Sequence, residues 1–148
     1  MNRRGFTMFE LLIVISIIAI LAAAIIPNFI GFDTEARVAA TKSNLDTLRT
    51  RITLYRAKEG VYPTSLSDLL MKSYVDAGVQ KPYLQKIPAE LVSTKKGSSA
   101  HKAQRSDDPL TGEGGWVYKT DSAEVSINLD KPLDKSWGEY ADQRPSQW

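Results

Sequence analysis

Glu10 is the residue whose type and position most strongly call for a chemical explanation. It stands directly ahead of residues 11–26, an apolar run that only Ser16 interrupts. An acidic side chain inside a membrane helix costs about 2.5 to 3.5 kcal/mol on insertion scales, so it needs a partner there. We therefore expect Glu10 to have a partner, which a plain membrane anchor would not require.

Other side chains that could do chemistry are few. The sequence has no cysteine and one histidine, His101, which lies in a polar stretch. A metal centre needs several convergent ligands, and nucleophilic catalysis usually needs an oriented base. One histidine offers neither, so the composition argues against an enzyme. The formal net charge of +2 also gives no reason to expect a strongly charged partner.

Asp130 and Asp134 are the candidate ligands for a cation. Together with backbone carbonyls, two nearby carboxylates could hold a hard cation such as calcium. Lys131 and Lys135 are interleaved with them, which favours solvated turn residues instead. Calcium is thus the less favoured interpretation, and the sequence predicts no other cofactor.

The element that must position Glu10 is a transmembrane helix. With Phe6, Met8 and Phe9 the apolar segment reaches about 20 residues, enough at about 1.5 Å per residue to cross a hydrocarbon core of about 30 Å. We predict that it spans about residues 6–30. An ordinary secretory signal cut near Ala24 is the alternative, but its apolar region would gain nothing from a charge.

Arg3 and Arg4 precede this helix. The positive-inside rule keeps such a basic end in the cytoplasm and sends the remainder of the chain across the membrane. We therefore expect a single-pass protein whose residues 60–148 form a soluble domain outside the cytoplasm.

A second helical pattern follows Pro27. Apolar residues recur at spacings of seven, three and four, as on one face of an amphipathic helix. They are Val38, Leu45, Leu48, Ile52 and Tyr55. Gly60 and Pro63 provide a stop. The pattern predicts one helix over residues 6–59, kinked at Pro27 because proline lacks a backbone donor. A coiled coil would show a similar stripe.

The soluble part reads as a short helix followed by strands. Ser65 and Asp68 have the spacing of a capping box, with Leu66, Leu69, Leu70 and Tyr74 as the apolar side of a short helix. Residues 83–88 form a connector that docks apolar side chains. Residues 116–120 and 124–129 have strand composition and predict an antiparallel hairpin. Between these elements, residues 89–107 are predicted to be a flexible loop.

The N-terminal motif has a specific resemblance. GFTMFELLIV at residues 5–14, followed by AILAAA and Pro27, resembles the class III leader and first helix of type IV pilins and type II secretion pseudopilins. The resemblance implies that a prepilin peptidase cuts between Gly5 and Phe6, removing residues 1–5, and methylates the new amine of Phe6. It also implies that Glu10 pairs with the Phe6 amine of a neighbouring subunit during assembly.

The second half is similar to the major, G-type pseudopilin. YPT at residues 62–64, PYL at 82–84 and Asp108-Pro109 ahead of an aromatic strand carry this resemblance. Two features depart from it. Residues 89–107 lengthen one link, and residues 130–138 replace the Gly- and Asp-rich loop that binds calcium in that family.

Residues 94–105 contain five basic side chains, counting the single histidine. Some pilins bind DNA, but this stretch lacks interleaved aromatic residues for stacking, and Asp107 and Asp108 offset its charge. A solvated loop is the favoured interpretation, and nucleic acid is not an expected partner.

These inferences predict an α+β, pilin-like fold: a long N-terminal helix, membrane-spanning in its first half, packed against a small antiparallel sheet. The expected function is that of a type II secretion pseudopilin, and the alternative is a type IV pilin for adhesion, motility or DNA uptake. Expected partners are other copies, other pseudopilins, the prepilin peptidase, the inner-membrane secretion platform and, before assembly, the lipid bilayer. The expected location is the bacterial inner membrane, with the soluble domain in the periplasm.

Overall fold

The computed structural model describes residues 6–25, 32–93 and 97–148. These form two compact units that divide between Asp33 and Thr34. The helices are α1 Met8–Ile25, α2 Phe32–Glu59 and α3 Asp68–Met71, and two 3₁₀ segments cover Lys135–Tyr140 and Pro145–Gln147. The strands are β1 Ser73–Asp76, β2 Val79–Pro82, β3 His101–Gln104, β4 Trp116–Lys119 and β5 Glu124–Ile127.

Helix α1 is the transmembrane candidate. Among the described residues it is the one helix that is long and apolar enough to cross a membrane. The predicted kink at Pro27 lies outside the described residues, as do residues 26–31 as a whole. A continuous helix over residues 6–59 therefore stays a prediction.

Helix α2 supplies one wall of the core of the second unit. All five residues of the predicted stripe are buried, and Thr41 is buried with them. The predicted stop is confirmed, because α2 ends at Glu59 and Gly60 has a φ of 79°. A residue with a left-handed conformation at this position ends a helix, and glycine adopts it without a steric cost.

The main sheet has three strands in the order β3-β4-β5. The predicted hairpin is confirmed, since β4 and β5 are antiparallel with Trp116 opposite Ile127. Strand β3 was not predicted, and it pairs with β4 in parallel, with His101 opposite Trp116. The sheet is therefore mixed, which adds one parallel pair to the antiparallel arrangement expected from the sequence.

The core lies between α2 and this sheet. Trp116, Val117 and Tyr118 of β4 are all buried, so both faces of the central strand are covered. The polar groups of its aromatic residues are satisfied: the Trp116 indole donates to the Pro88 carbonyl at 2.7 Å, and the Tyr118 hydroxyl donates to that of Pro63 at 2.8 Å. The first bond docks the connector of residues 83–88, and the second docks the turn that follows α2.

The prediction of a flexible loop over residues 89–107 is wrong for its described part. Glu90 is buried and pairs with Ser98 in an antiparallel bridge. The Leu91 carbonyl accepts a hydrogen bond from Arg37 Nε at 2.7 Å, and His101–Gln104 form β3. A polar, Gly- and Ser-rich composition favours a loop, but here polar groups are satisfied by long-range partners that the local sequence does not reveal.

Two local features also differ from prediction. Tyr74 lies in β1, not on the short helix, and β1 pairs with β2 across a turn in which Ala77 and Gly78 both have positive φ. Before α3, the predicted capping pair is present with one difference: the Ser65 hydroxyl accepts from the backbone N–H of Ser67, at 3.2 Å, and not from that of Asp68. In return, the Asp68 carboxylate accepts hydrogen bonds from the backbone N–H groups of Thr64 and Ser65, at 2.7 and 3.2 Å.

Candidate functional site

Glu10 caps the helix that carries it. Its Oε2 accepts hydrogen bonds from the backbone N–H and the hydroxyl of Thr7, at 2.9 and 2.8 Å. In return, Thr7 Oγ1 accepts from the backbone N–H of Glu10 at 3.2 Å. This reciprocal pair is a capping box, which satisfies backbone donors that the first turn of a helix leaves without partners.

The capping box explains how α1 can begin at the edge of an apolar segment: it supplies hydrogen-bond partners for backbone N–H groups of the first turn. Sequence reasoning missed it, although the Thr-x-x-Glu spacing of residues 7–10 was a readable signal. Only Oε2 of Glu10 is used in this cap among the described residues. A carboxylate has two oxygens that can accept hydrogen bonds, so Glu10 can hold its own helix start and still accept from a second group.

The surface of α1 is apolar and uncovered within the chain. None of its residues is buried. The hydroxyl of Ser16, which is the polar interruption of the apolar run, donates to the Leu12 carbonyl at 2.7 Å. Because that donor is satisfied within the helix, it adds little cost to burial in lipid or in an assembly.

The other N-terminal site residues are placed only in part. Phe6 is described, and its side chain is 80% exposed. Gly5, on the other side of the predicted cleavage point, lies outside the described residues. The assignment of the cleavage site between Gly5 and Phe6 thus rests on the sequence motif.

Asp130 and Asp134 have separate protein partners. Asp130 Oδ2 lies 3.3 Å from Arg144 Nη1, and its Oδ1 accepts from the Ser146 hydroxyl at 3.0 Å. Asp134 caps the first 3₁₀ segment by accepting from the backbone N–H of Ser136 at 2.8 Å. Hydrogen bonds from the Ser136 hydroxyl and N–H hold the pKa of Asp134 below its usual value. In the described part of the chain, no three histidine, cysteine or acidic residues group as metal ligands would.

The structure describes residues 97–105 of the basic stretch at 94–105. Lys95 and Lys96 lie outside the described residues. His101 Nε2 lies 3.0 Å from the Ser67 hydroxyl oxygen, and Arg105 pairs with Asp107 at 3.4 Å. The His101 contact joins the stretch to the segment before α3, and the Arg105 pair is local and exposed.

The C-terminal segment, residues 128–148 after β5, is attached to α2 by contacts that sequence reasoning did not identify. Arg37 lies over the ring of Trp137 at 5.1 Å from its centroid, and Lys42 lies over that of Trp148 at 4.7 Å. Cation–π contacts of this kind contribute about 0.5 to 2 kcal/mol. The signal in the sequence is weak, because the paired residues are about 100 positions apart.

Comparison with known proteins gives two family matches. Residues 1–26 match the prokaryotic N-terminal methylation motif. Residues 28–93 match the family described as type II secretion system (T2SS), protein G. Residues 94–148 lie outside both matches.

Curated relatives agree with these matches. The type II secretion system core protein G of Escherichia coli is 30% identical over 98 residues, which cover 60% of this chain and 66% of that protein. For the protein of the same name from Pseudomonas aeruginosa the identity is 27% over 100 residues, or 61% of this chain and 70% of the relative. The type IV major pilin protein PilA of Myxococcus xanthus is 53% identical over 49 residues, which are 33% of this chain but only 22% of that pilin. No solved structure gives a significant match.

Proposed function

The chain belongs to the family of type IV pilins and type II secretion pseudopilins, and we propose that it is a filament-forming pseudopilin of a type II secretion system. The observation that carries this proposal is the match of residues 28–93 to protein G, a region beyond the N-terminal motif that all such proteins share. The exposed apolar surface of α1 supports it, because a helix of this kind requires lipid or other helices around it.

In this proposal the protein starts as a single-pass inner-membrane protein. Helix α1 lies in the bilayer, and the soluble unit lies in the periplasm. Prepilin peptidase cuts between Gly5 and Phe6 and methylates the Phe6 amine, and the inner-membrane secretion platform then moves the subunit from lipid into a filament with other copies and other pseudopilins.

Assembly depends on the charge of Glu10. In lipid its carboxylate is costly, and in the filament it pairs with the Phe6 amine of a neighbour. Because the carboxylate also caps α1 through Thr7, the pair would hold the neighbour's N terminus against the first turn of the helix. The role is mechanical: the filament acts on export and the subunit carries out no reaction.

A type IV pilin is the second candidate. The similarity to the Myxococcus xanthus pilin, 53% identity over 49 residues, favours it. That similarity covers only 33% of this chain and 22% of the pilin. It therefore supports the second candidate less than the protein G match supports the first.

Deletion of the gene, with complementation by the intact gene, separates the two candidates. We expect the deletion strain to accumulate exported enzymes in the periplasm, and we expect surface pili and twitching motility to stay normal. The opposite result, normal secretion with loss of surface pili, would assign the protein to a pilus.

A further inference from the structure

A positively charged groove lies on one side of α2, between this helix and the connector of residues 83–88. Its cations are Arg51, Lys81 and Lys86, and the described residues that line it include no acidic side chain. Half-buried Tyr74 and Leu84 belong to its apolar lining. Arginine and aromatic side chains are enriched at protein interfaces, so the groove has the composition of a surface that binds another protein.

Two acidic residues lie beside the groove, and both are already engaged. Asp76 Oδ2 lies 2.7 Å from Lys81 Nζ, which offsets the charge of that lysine. Glu59 Oε1 accepts a hydrogen bond from the Tyr83 hydroxyl at 2.6 Å. These contacts leave the other two cations of the groove to be explained.

Arg51 and Lys86 have no ion pair or hydrogen bond with any residue that the structure describes. Arg51 is half-buried, and Lys86 is exposed. A guanidinium has five N–H donors and binds carboxylates in a planar, two-point geometry. Because this one is accessible and unpaired among the described residues, the groove favours an acidic partner from outside the chain.

The soluble unit itself carries an acidic surface, which we call the acidic turns: residues 105–108 after β3 and residues 120–123 between β4 and β5. The two turns are joined, because Asp121 Oδ1 accepts from the Ser106 hydroxyl at 2.6 Å. Together they hold three aspartates against one arginine. The side chain of Asp107 is 79% exposed, so this charge is available to a partner.

The charge of the whole unit is divided in the same sense. Residues 34–93, which contain the groove, have nine lysines and arginines against six acidic residues. Residues 97–148, which contain the acidic turns, have six against nine. Two copies therefore have complementary charge when the first part of one meets the second part of the other.

The groove and the acidic turns lie on opposite sides of α2. Arg51 lines the groove, whereas Arg49 lines a different pocket together with Ala123 and Glu124, at the turn between β4 and β5. Two residues that are two positions apart on an α-helix are separated by about 200° around its axis. One copy therefore cannot place its acidic turns in its own groove, but a second copy can.

We propose that the groove binds the acidic turns of a second copy, with Arg51 and Lys86 facing Asp107 and Asp121. Each copy uses a different surface on its two sides, and repetition of such a head-to-tail contact produces an open helical filament when the rotation does not close a ring. The inference rests on the proposed filament function and deepens it, since it identifies the surfaces through which the soluble units join.

Crosslinking of assembled filaments tests the contact directly. Filaments and membranes of the producing strain are treated with a water-soluble carbodiimide, which joins a carboxylate to an amine that touches it. We expect a covalent dimer in which mass spectrometry finds Lys86 joined to an aspartate of the acidic turns. Lys86→Arg keeps the charge but has no reactive amine, so the dimer should be lost while filaments persist.

Charge reversal tests the pairing. Lys86→Glu and Asp107→Lys should each reduce the amount of filament about tenfold, because like charges then meet across the contact. The combined variant should recover most of the native amount. Lys131→Glu is the matched control: it reverses an exposed lysine that does not line the groove, and it should leave the amount of filament nearly unchanged. Melting temperatures of the full chains in nonionic detergent check that each variant folds.

The inference is overturned if no dimer forms, or if the dimer does not contain Lys86. It is also overturned if the combined variant makes no more filament than the single variants, or if Lys131→Glu is as harmful as Lys86→Glu. The crosslink of the native chain requires no variant, so it decides the question even if a charge-reversed chain fails to fold.

Failure of the proposed secretion function would give a different result. The crosslink is measured in whichever filament the protein forms. A gene deletion that abolishes surface pili and spares secretion would reassign the filament to a pilus, and a Lys86 dimer would still support the contact. Normal filaments without that dimer would overturn the contact and leave the secretion function intact.

Discussion

The carboxylate of Glu90 accepts a hydrogen bond from the backbone N–H of Gly115 at 3.2 Å. It also accepts from the N–H groups of Val92 and Ser93, the latter at 2.7 Å. The chain passes so closely here that a Cβ on Gly115 would lie 2.4 Å from the Ala100 carbonyl oxygen. The buried side chain of Glu90 thus joins residues 90–93, which follow the connector, to the start of β4.

Glu90→Ala should lower the free energy of unfolding by about 3 kcal/mol or more, because buried backbone donors lose their acceptor at about 1 to 3 kcal/mol each. Denaturant unfolding of the full chain in nonionic detergent, followed by tryptophan fluorescence, measures this. Glu124→Ala is the control, since that side chain is 67% exposed, and it should change stability by less than about 0.5 kcal/mol. Equal stability of the two variants would show that Glu90 does not organise this region.

Asp68 should make stability depend on pH at the acid end. Burial raises the pKa of Asp68, but hydrogen bonds from Thr64 and Ser65 outweigh burial and hold the pKa below its usual value. Because the pKa of Asp68 is lower in the folded chain than in the unfolded chain, its ionised carboxylate stabilises the fold fully above the unfolded pKa of about 4. This stability is lost as the pH falls through the folded pKa.

Asp68→Asn should therefore destabilise the protein most at neutral pH, and the difference in melting temperature from the native chain should shrink below about pH 4. Melting temperatures at several pH values measure this. Asp107→Asn changes a carboxylate that is 79% exposed and should leave the pH profile nearly unchanged. A difference for Asp68→Asn that stays constant with pH would contradict the prediction.

Processing at Gly5 is tested by mass spectrometry. Cleavage should leave a chain that starts at Phe6 and carries one methyl group on its amine. Gly5→Val should block cleavage, because a side chain there obstructs the approach of the peptidase to the backbone. A native mature chain with any other first residue would contradict the assignment.

Glu10→Gln separates charge from helix capping. Glutamine at this position of a capping box can still bond to Thr7, so insertion and the start of α1 should be preserved. Filaments should fail, because the Phe6 amine of a neighbour loses its partner at a cost of about 3 to 5 kcal/mol. Membrane fractionation and electron microscopy of filaments measure both results.

The reciprocal variant is Thr7→Ala, which keeps the charge and removes the cap. It should weaken the first turn of α1 by about 1 kcal/mol and still allow filaments. Normal filaments from Glu10→Gln would show that the charge has no role in assembly.

Calcium should have little effect on stability. Asp134 is engaged by Ser136, and Asp130 by Arg144 and Ser146, so a bound ion would have to compete with these contacts. Calcium and a chelator should give the same melting temperature. Asp134→Ala should lower the melting temperature slightly even in chelator, through the lost cap. A clear rise in melting temperature with calcium would restore the metal interpretation of Asp130 and Asp134.

Several features could be predicted from the sequence because their causes are local. The apolar run before and after Ser16 determines a helix that is long and apolar enough to cross a membrane. The spacing of Val38 through Tyr55 determines which face of α2 is buried, since helical periodicity is a property of neighbouring residues. Alternation of Val125, Ile127 and their neighbours likewise determines a strand.

The remaining features depended on contacts between distant residues. Glu90 looked like part of a solvated loop, and only the approach of Gly115 made it a buried acceptor. His101 became a strand residue because β4 offered a parallel edge. The C-terminal residue Trp148 lies against α2 through its contacts with Arg49 and Lys42. Each of these pairings is selected by the free energy of burying and satisfying groups that are far apart in the chain, and no local pattern encodes that selection.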